Sequence, residues 1–206
     1  MCFGWFKKEV SKQVCDEFEQ KERQSLYVDL EREFPGMVRS DLSVSVRTLP
    51  SGEVYMMDVR GFFMNPNTLK SLVADNAKFL KNYLDALNFV KCTMTYAKDS
   101  DTFGISDYWA LPPEVLTTLR GDCDDGAILL ANILSAMGYP GHRIFLAVGL
   151  SASNVGHMIV IFHDGSKFMT LDWSANGLKH IWFMWNNDAC WGFEDLVNEA
   201  ETEAVE

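Results

Sequence analysis

The sequence predicts an α+β fold, and three observations carry that expectation. A helix opening at Asp122/Cys123 is apolar almost all the way round, as a helix at the centre of a core must be. Three short strand patterns follow it, and two of them flank an Asp-Gly pair of the kind that closes a hairpin. Ahead of it lie two helical stretches and an earlier hairpin.

Taken in order, residues 7–33 are charged and helix-permissive, with Val14, Phe18 and Leu26 as a thin apolar stripe, and Phe34-Pro35-Gly36 breaks them. Residues 42–62 alternate apolar and polar side chains around Pro50-Ser51-Gly52, which reads as a hairpin. Asn65-Pro66-Asn67-Thr68 opens a second helix, with Leu69, Leu72, Val73, Ala77, Leu80, Leu84 and Leu87 at helical spacing. Residues 97–113 are a loop rich in Asp, Ser, Gly and Pro. The helix from Asp122 runs to Met137 and stops at Gly138-Tyr139-Pro140. Strands are then expected in HRIFLAVGL, GHMIVIFH and SKFMTLDWS. The expected organisation is an N-terminal helix and hairpin over 1–60, a core over 61–195 and an acidic flexible tail over 196–206.

Composition removes several function classes. Of the 206 residues, 48% are hydrophobic, which excludes general disorder. The net charge is −11, and residues 61–206 hold 9 basic against 18 acidic side chains, a surface that repels phosphate backbones. Nucleic acid is therefore not an expected partner. The five cysteines have no C-x-x-C spacing and the four histidines no H-x-x-x-H spacing, which argues against a disulfide framework and structural zinc. No apolar run is long enough to span a membrane, and the start lacks the features of a signal peptide, so the expected location is cytoplasmic, with no membrane partner.

Chemistry concentrates at LRGDCDDGAILL, residues 119–130. A thiol in the first turn of a buried helix gains from the positive end of the helix dipole, and the unpaired backbone N–H groups there suit an oxyanion. Position alone equally allows Cys123 to be a small buried residue. Its partners come from the later hairpin. With a two-residue turn at Asp164-Gly165, His157 and Asp172 stand directly opposite each other. A four-residue loop would move them to a diagonal on the same face, and a three-residue loop would separate them. Nucleophile, base and orienting carboxylate are the parts of covalent acyl transfer.

The blocks DYWALPPEVLTTLRGDCDDGAILLANILSAMGYP, GHMIVIF and LDW resemble the transglutaminase-like cysteine peptidases, above all their bacterial branch. The resemblance covers about residues 85–175. It implies a papain-like core in which the cysteine opens a helix packed on an antiparallel sheet, with Cys123 as nucleophile, His157 as base and Asp172 as orienting acid. It also implies that Trp109 lines the acyl pocket, with a core aromatic as the alternative reading, and that the Cys123 N–H contributes to the oxyanion site. The expected activity is a thiol hydrolase acting on peptide or amide bonds of a protein or peptide substrate. Acyl transfer or deamidation at glutamine, and a non-catalytic binding module, are the alternatives. No cofactor is required on this reading. The carboxylates around the thiol are explained as helix capping by Asp122 with Asp124 and Asp125 in the first turn. Arg120 is one candidate counter-charge for them. A calcium ion held by Asp122 and Asp124 is the other, and the resemblance supplies a precedent for it.

Overall fold

The computed structural model describes residues 3–40, 43–174 and 177–193. The chain divides into two units, 1–37 and 38–206. The first is essentially one helix, α1 (Phe3–Glu33), with i,i+4 and i,i+3 ion pairs at Arg23–Glu19 and Arg32–Asp29. It ends at the expected breaker, where Gly36 has a φ of 92°. The tail expected over 196–206 lies outside the described residues.

Strand β1 (Met37–Ser40) begins at the last residue of the first unit, and the second unit continues with the hairpin β2 (Val44–Thr48) and β3 (Val54–Asp58). The hairpin turns at the expected Pro50-Ser51-Gly52, with Gly52 at a φ of 84°. The single helix expected after Asn65 is instead three pieces: a 3-10 turn (Pro66–Leu69), α2 (Lys70–Asp75) and α3 (Tyr83–Thr93). Asparagine chemistry interrupts the apolar periodicity. Asn76 turns its amide back onto the Leu72 carbonyl, and Asn82 Oδ1 accepts from the Leu84 and Asp85 N–H groups to start α3 afresh. The following segment contains β4 (Thr95–Tyr96), the single turn α4 (Asp99–Thr102), α5 (Pro112–Thr118) and β5 (Arg120–Gly121), which pairs with β4 in parallel.

Next comes α6 (Cys123–Ala136), buried from Asp124 to Leu134. It packs on β6 (Ile144–Leu150) and β7 (Gly156–His163), with Ile128, Leu129, Ile133 and Leu134 in one cluster with Leu146, Val160 and Phe162. Each such aliphatic side chain contributes roughly 1.5–3 kcal/mol by burial, so this layer fixes where the start of α6 points. The sheet is completed by β8 (Phe168–Leu171), β9 (His180–Trp185) and β10 (Cys190–Phe193), in the order β1-β10-β9-β6-β7-β8. Strands β9 and β10 went unforeseen because every second side chain does not alternate in polarity there: Ile181-Trp182-Phe183-Met184-Trp185 is one apolar run. The fold is thus α+β, a papain-like transglutaminase core with the cysteine helix on an antiparallel sheet. Among the described residues no helix is long and apolar enough to cross a membrane.

Candidate active site

Cys123 is the first residue of α6. The helix is capped, but not as expected: Asp125 Oδ2 reaches back to accept from the Asp122 N–H at 3.2 Å, while Asp122 Oδ1 stays buried without a hydrogen-bond partner. Asp125 Oδ1 holds the Ala110 N–H at 2.8 Å. One carboxylate therefore ties the helix start to the segment that carries Trp109.

His157 lies at the start of β7 and Asp172 just beyond β8. The hairpin between these strands differs from the expected two-residue turn at Asp164-Gly165. Val160 pairs with Leu171 and His163 with Phe168, leaving a four-residue loop from Asp164 to Lys167. Asp164 sets that loop by accepting from the Ser166 and Lys167 N–H groups and the Ser166 hydroxyl, and Gly165 takes a φ of 105°. The loop shifts the register by two, so His157 and Asp172 sit on a diagonal of one face, and His157 Nε2 is 3.0 Å from Asp172 Oδ2. Asp172 is itself fixed by the Ser174 N–H and hydroxyl and by the Gly177 N–H. Burial would raise its pKa, but His157 and these donors outweigh that and hold it below the usual carboxylate range. For His157, burial works against the charged ring, yet the hydrogen bond with Asp172 and the neighbouring Cys123 outweigh it and raise the pKa to about 9. With Nε2 engaged by Asp172, Nδ1 is the ring nitrogen left for the thiol.

A cavity of about 220 Å³ opens over Cys123 and His157, walled by Trp109, Asp107, Asp122, Asp124, Val148 and Met158. Trp109 is thus at the pocket and in the core together, stacked on Trp185 at 5.8 Å. Gly149, opposite His157 on β6, sits at a break in register where an added Cβ would lie 1.9 Å from the His180 carbonyl oxygen.

Trp173 was not anticipated. Its indole Nε1 donates to the Cys123 carbonyl at 3.1 Å, and its ring fills the space above Gly126, where a Cβ would come within 2.2 Å. Only the residue's place directly after Asp172 hinted at it.

Asp99 was not anticipated either. One oxygen each of Asp99, Asp122 and Asp125 lie within 4.8 Å of one another, and Asp122, Cys123 and Asp124 form a second such group. Burial and the Asp122 charge push Asp99 up to about 7. Burial, with Asp99 and Asp122 nearby, pushes Asp125 up to about 8. Asp124 is raised by burial and by Asp122. Arg120 is exposed and forms no ion pair with them among the described residues, so it is not the expected counter-charge. Cys92, Cys123 and Cys190 are free thiols.

The sequence pattern of the bacterial transglutaminase-like cysteine proteinases matches residues 66–184. The chain belongs to this family. Solved structures resembling this family member include Legionella pneumophila LapG, EGTA-treated, which is 21% identical over 65% of this chain and 88% of its own with a TM-score of 0.49. Calcium-bound LapG from the same organism is 25% identical over 67% of this chain and 81% of its own, with a TM-score of 0.47. Among curated protein sequences none matches significantly. As a bacterial transglutaminase-like cysteine proteinase, the protein is of cysteine peptidase-like function.

Proposed function

We propose that the protein is a thiol hydrolase that cleaves peptide or amide bonds of a protein or peptide substrate through Cys123, His157 and Asp172. The observation that carries this reading is the His157 ring, held by Asp172 at 3.0 Å on one nitrogen and sharing the wall of one cavity with Cys123. Cys123 Sγ attacks the substrate carbonyl carbon as His157 takes the thiol proton. The C–N bond then breaks, the departing amine receives that proton from His157, and a thioester remains. Water, deprotonated by His157, attacks the thioester. The acid leaves and the thiol regains its proton. Asp172 keeps the ring in the orientation that both transfers need, and the Cys123 N–H at the helix start stabilises the oxyanion. Trp109 forms one wall for the acyl group.

We assign the carboxylates beside the thiol to calcium, and prefer Asp99, Asp122 and Asp125 to the pair Asp122 and Asp124. Calcium takes oxygen ligands, and this set offers three oxygens and no sulfur. Asp99 Oδ1, Asp122 Oδ1 and Asp124 Oδ2 are all buried without hydrogen-bond partners, so either group suits a cation, and the preference rests on the all-oxygen set. The ion would neutralise the carboxylates next to the nucleophile.

Alkylation by iodoacetamide tests the hydrolase reading. Cys123 should react far faster than Cys92, which is exposed, and a proteome treated with wild-type protein should show cleavage products missing with Cys123→Ala. Equal, slow labelling of Cys92 and Cys123 would sink it.

A further inference from the structure

The matched family region begins at residue 66, yet a side chain from the hairpin before it reaches the segment that carries Trp109. Arg47, on β2, is only 7% exposed. Its Nη2 donates to the Tyr108 hydroxyl at 2.6 Å and to Glu114 Oε2 at 2.7 Å, and its Nη1 to the Tyr55 hydroxyl at 2.8 Å. The hydroxyl of Tyr108 donates in turn to Glu114 Oε1, and Glu114 Oε2 accepts the Leu111 N–H at 2.6 Å. Trp109 thus stands in a segment where the flanking backbone is tied at Tyr108 to Asp99, at Ala110 to Asp125 and at Leu111 to Glu114. Glu114 is the tie with an exposed side, at 39%, and the guanidinium of Arg47 is what pins it. A small second cavity, lined by Ser45, Arg47 and Thr48, shares Asp107 and Trp109 with the pocket over Cys123.

We infer that Arg47 is a positioning residue for the substrate pocket: through Tyr108 and Glu114 it sets Trp109, making the β2–β3 hairpin part of the active-site structure. A planar guanidinium can bridge a phenol and a carboxylate at fixed angles, which an ammonium cannot do. Its side chain lines the smaller cavity and not the one over Cys123, so it should shape what binds rather than the thiol's own reactivity. This inference rests on Cys123 being the reactive centre.

The test uses the full chain and two alkylating reagents, iodoacetamide and the bulkier iodoacetanilide, whose phenyl ring must enter the pocket beside Trp109. Labelling of Cys123 is followed by mass spectrometry, with exposed Cys92 reporting the intrinsic preference between reagents. In Arg47→Met the anilide-to-amide rate ratio at Cys123 should fall several-fold toward the Cys92 ratio, while the iodoacetamide rate itself changes by less than about twofold. Arg47→Lys, which keeps the pair with Glu114, should recover part of the ratio. Amide exchange at Tyr108, Ala110 and Leu111 should quicken about tenfold in Arg47→Met, with β6 and β7 unchanged. An unchanged ratio overturns the inference even if exchange quickens, since Arg47 would then be structural only. If Arg47→Met fails to fold, the ratio in Arg47→Lys decides. Should wild-type Cys123 label as slowly as Cys92, the hydrolase reading has failed, and the pocket role of Arg47 falls with it.

Discussion

Asp172 meets His157 on the diagonal of the β7–β8 ladder, with Oδ2 3.0 Å from Nε2, rather than from the position directly opposite. The contact raises the affinity of the imidazole for its proton, after burial has worked the other way. Because the folded-state pKa, about 9, lies above that of a free histidine, the stabilising contribution is fully present below about pH 6.5 and is lost as pH rises through 9. Cleavage needs the imidazolium to protonate the leaving amine, so activity should decline on the alkaline side near that value. Asp172→Asn should move the decline to lower pH and leave a residue of activity. A pH–rate profile unaltered by the substitution would show that Asp172 does not set the ring's charge.

Removing Cys123 or His157 should each abolish turnover with the fold intact. Groups that act together lose their effect together, so Cys123→Ala/His157→Ala should be little worse than either single change. Full turnover by Cys123→Ala would remove the thiol from the mechanism.

The Gly126–Trp173 contact yields a stability prediction. A methyl at Gly126 would collide with the indole, whose ring is held by its bond to the Cys123 carbonyl. Gly126→Ala should destabilise by roughly 1–3 kcal/mol as an overpacked site does. Trp173→Phe loses the N–H donor together with the five-membered ring that a Gly126 methyl would strike, and should relieve the substitution in the double variant. Denaturant unfolding of the four proteins measures this coupling, and strict additivity would mean that the two residues do not compete for one space.

What could be read from the chain was what local chemistry determines. Cys123 at a helix start, His157 and Asp172 at equal parity around a turn, and the all-round apolar α6 are each written within a few residues. The register error came from the same locality: Asp164-Gly165 is a strong turn pair, but Asp164 spends its carboxylate on Ser166 and Lys167 and so belongs to a wider loop. Asp99, Trp173 and Arg47 were illegible for the opposite reason. Their partners are 9, 50 and 61 residues away along the chain. Nothing near Arg47 in sequence distinguishes it from a surface arginine; only the fold buries it against Tyr108. The helix expected across Asn76 and Asn82 failed because apolar spacing continued while two side-chain amides redirected the backbone.

Calcium should stabilise the protein and restore what chelation removes. Asp99, Asp122 and Asp125 are brought together, and burial with mutual repulsion raises the pKa values of Asp99 and Asp125. A bound divalent ion replaces that repulsion with attraction, and a ligand that binds only the folded state stabilises it by about 2.7 kcal/mol at a hundred times its Kd. The melting temperature at pH 7 should therefore rise with calcium after EGTA treatment, and proteolytic activity should rise with it. Asp99→Asn distinguishes the two carboxylate groups. Its amide oxygen remains a weak acceptor for the Tyr108 N–H, which limits structural damage, but the charge that favours calcium is gone. The variant should lose most of the calcium-dependent shift, whereas Asp124→Asn should keep it. A shift lost in Asp124→Asn and kept in Asp99→Asn would return the site to the carboxylates flanking Cys123. Melting temperature and activity indifferent to both EGTA and calcium would leave the cluster as the cap of α6 and the anchor of the Trp109 segment.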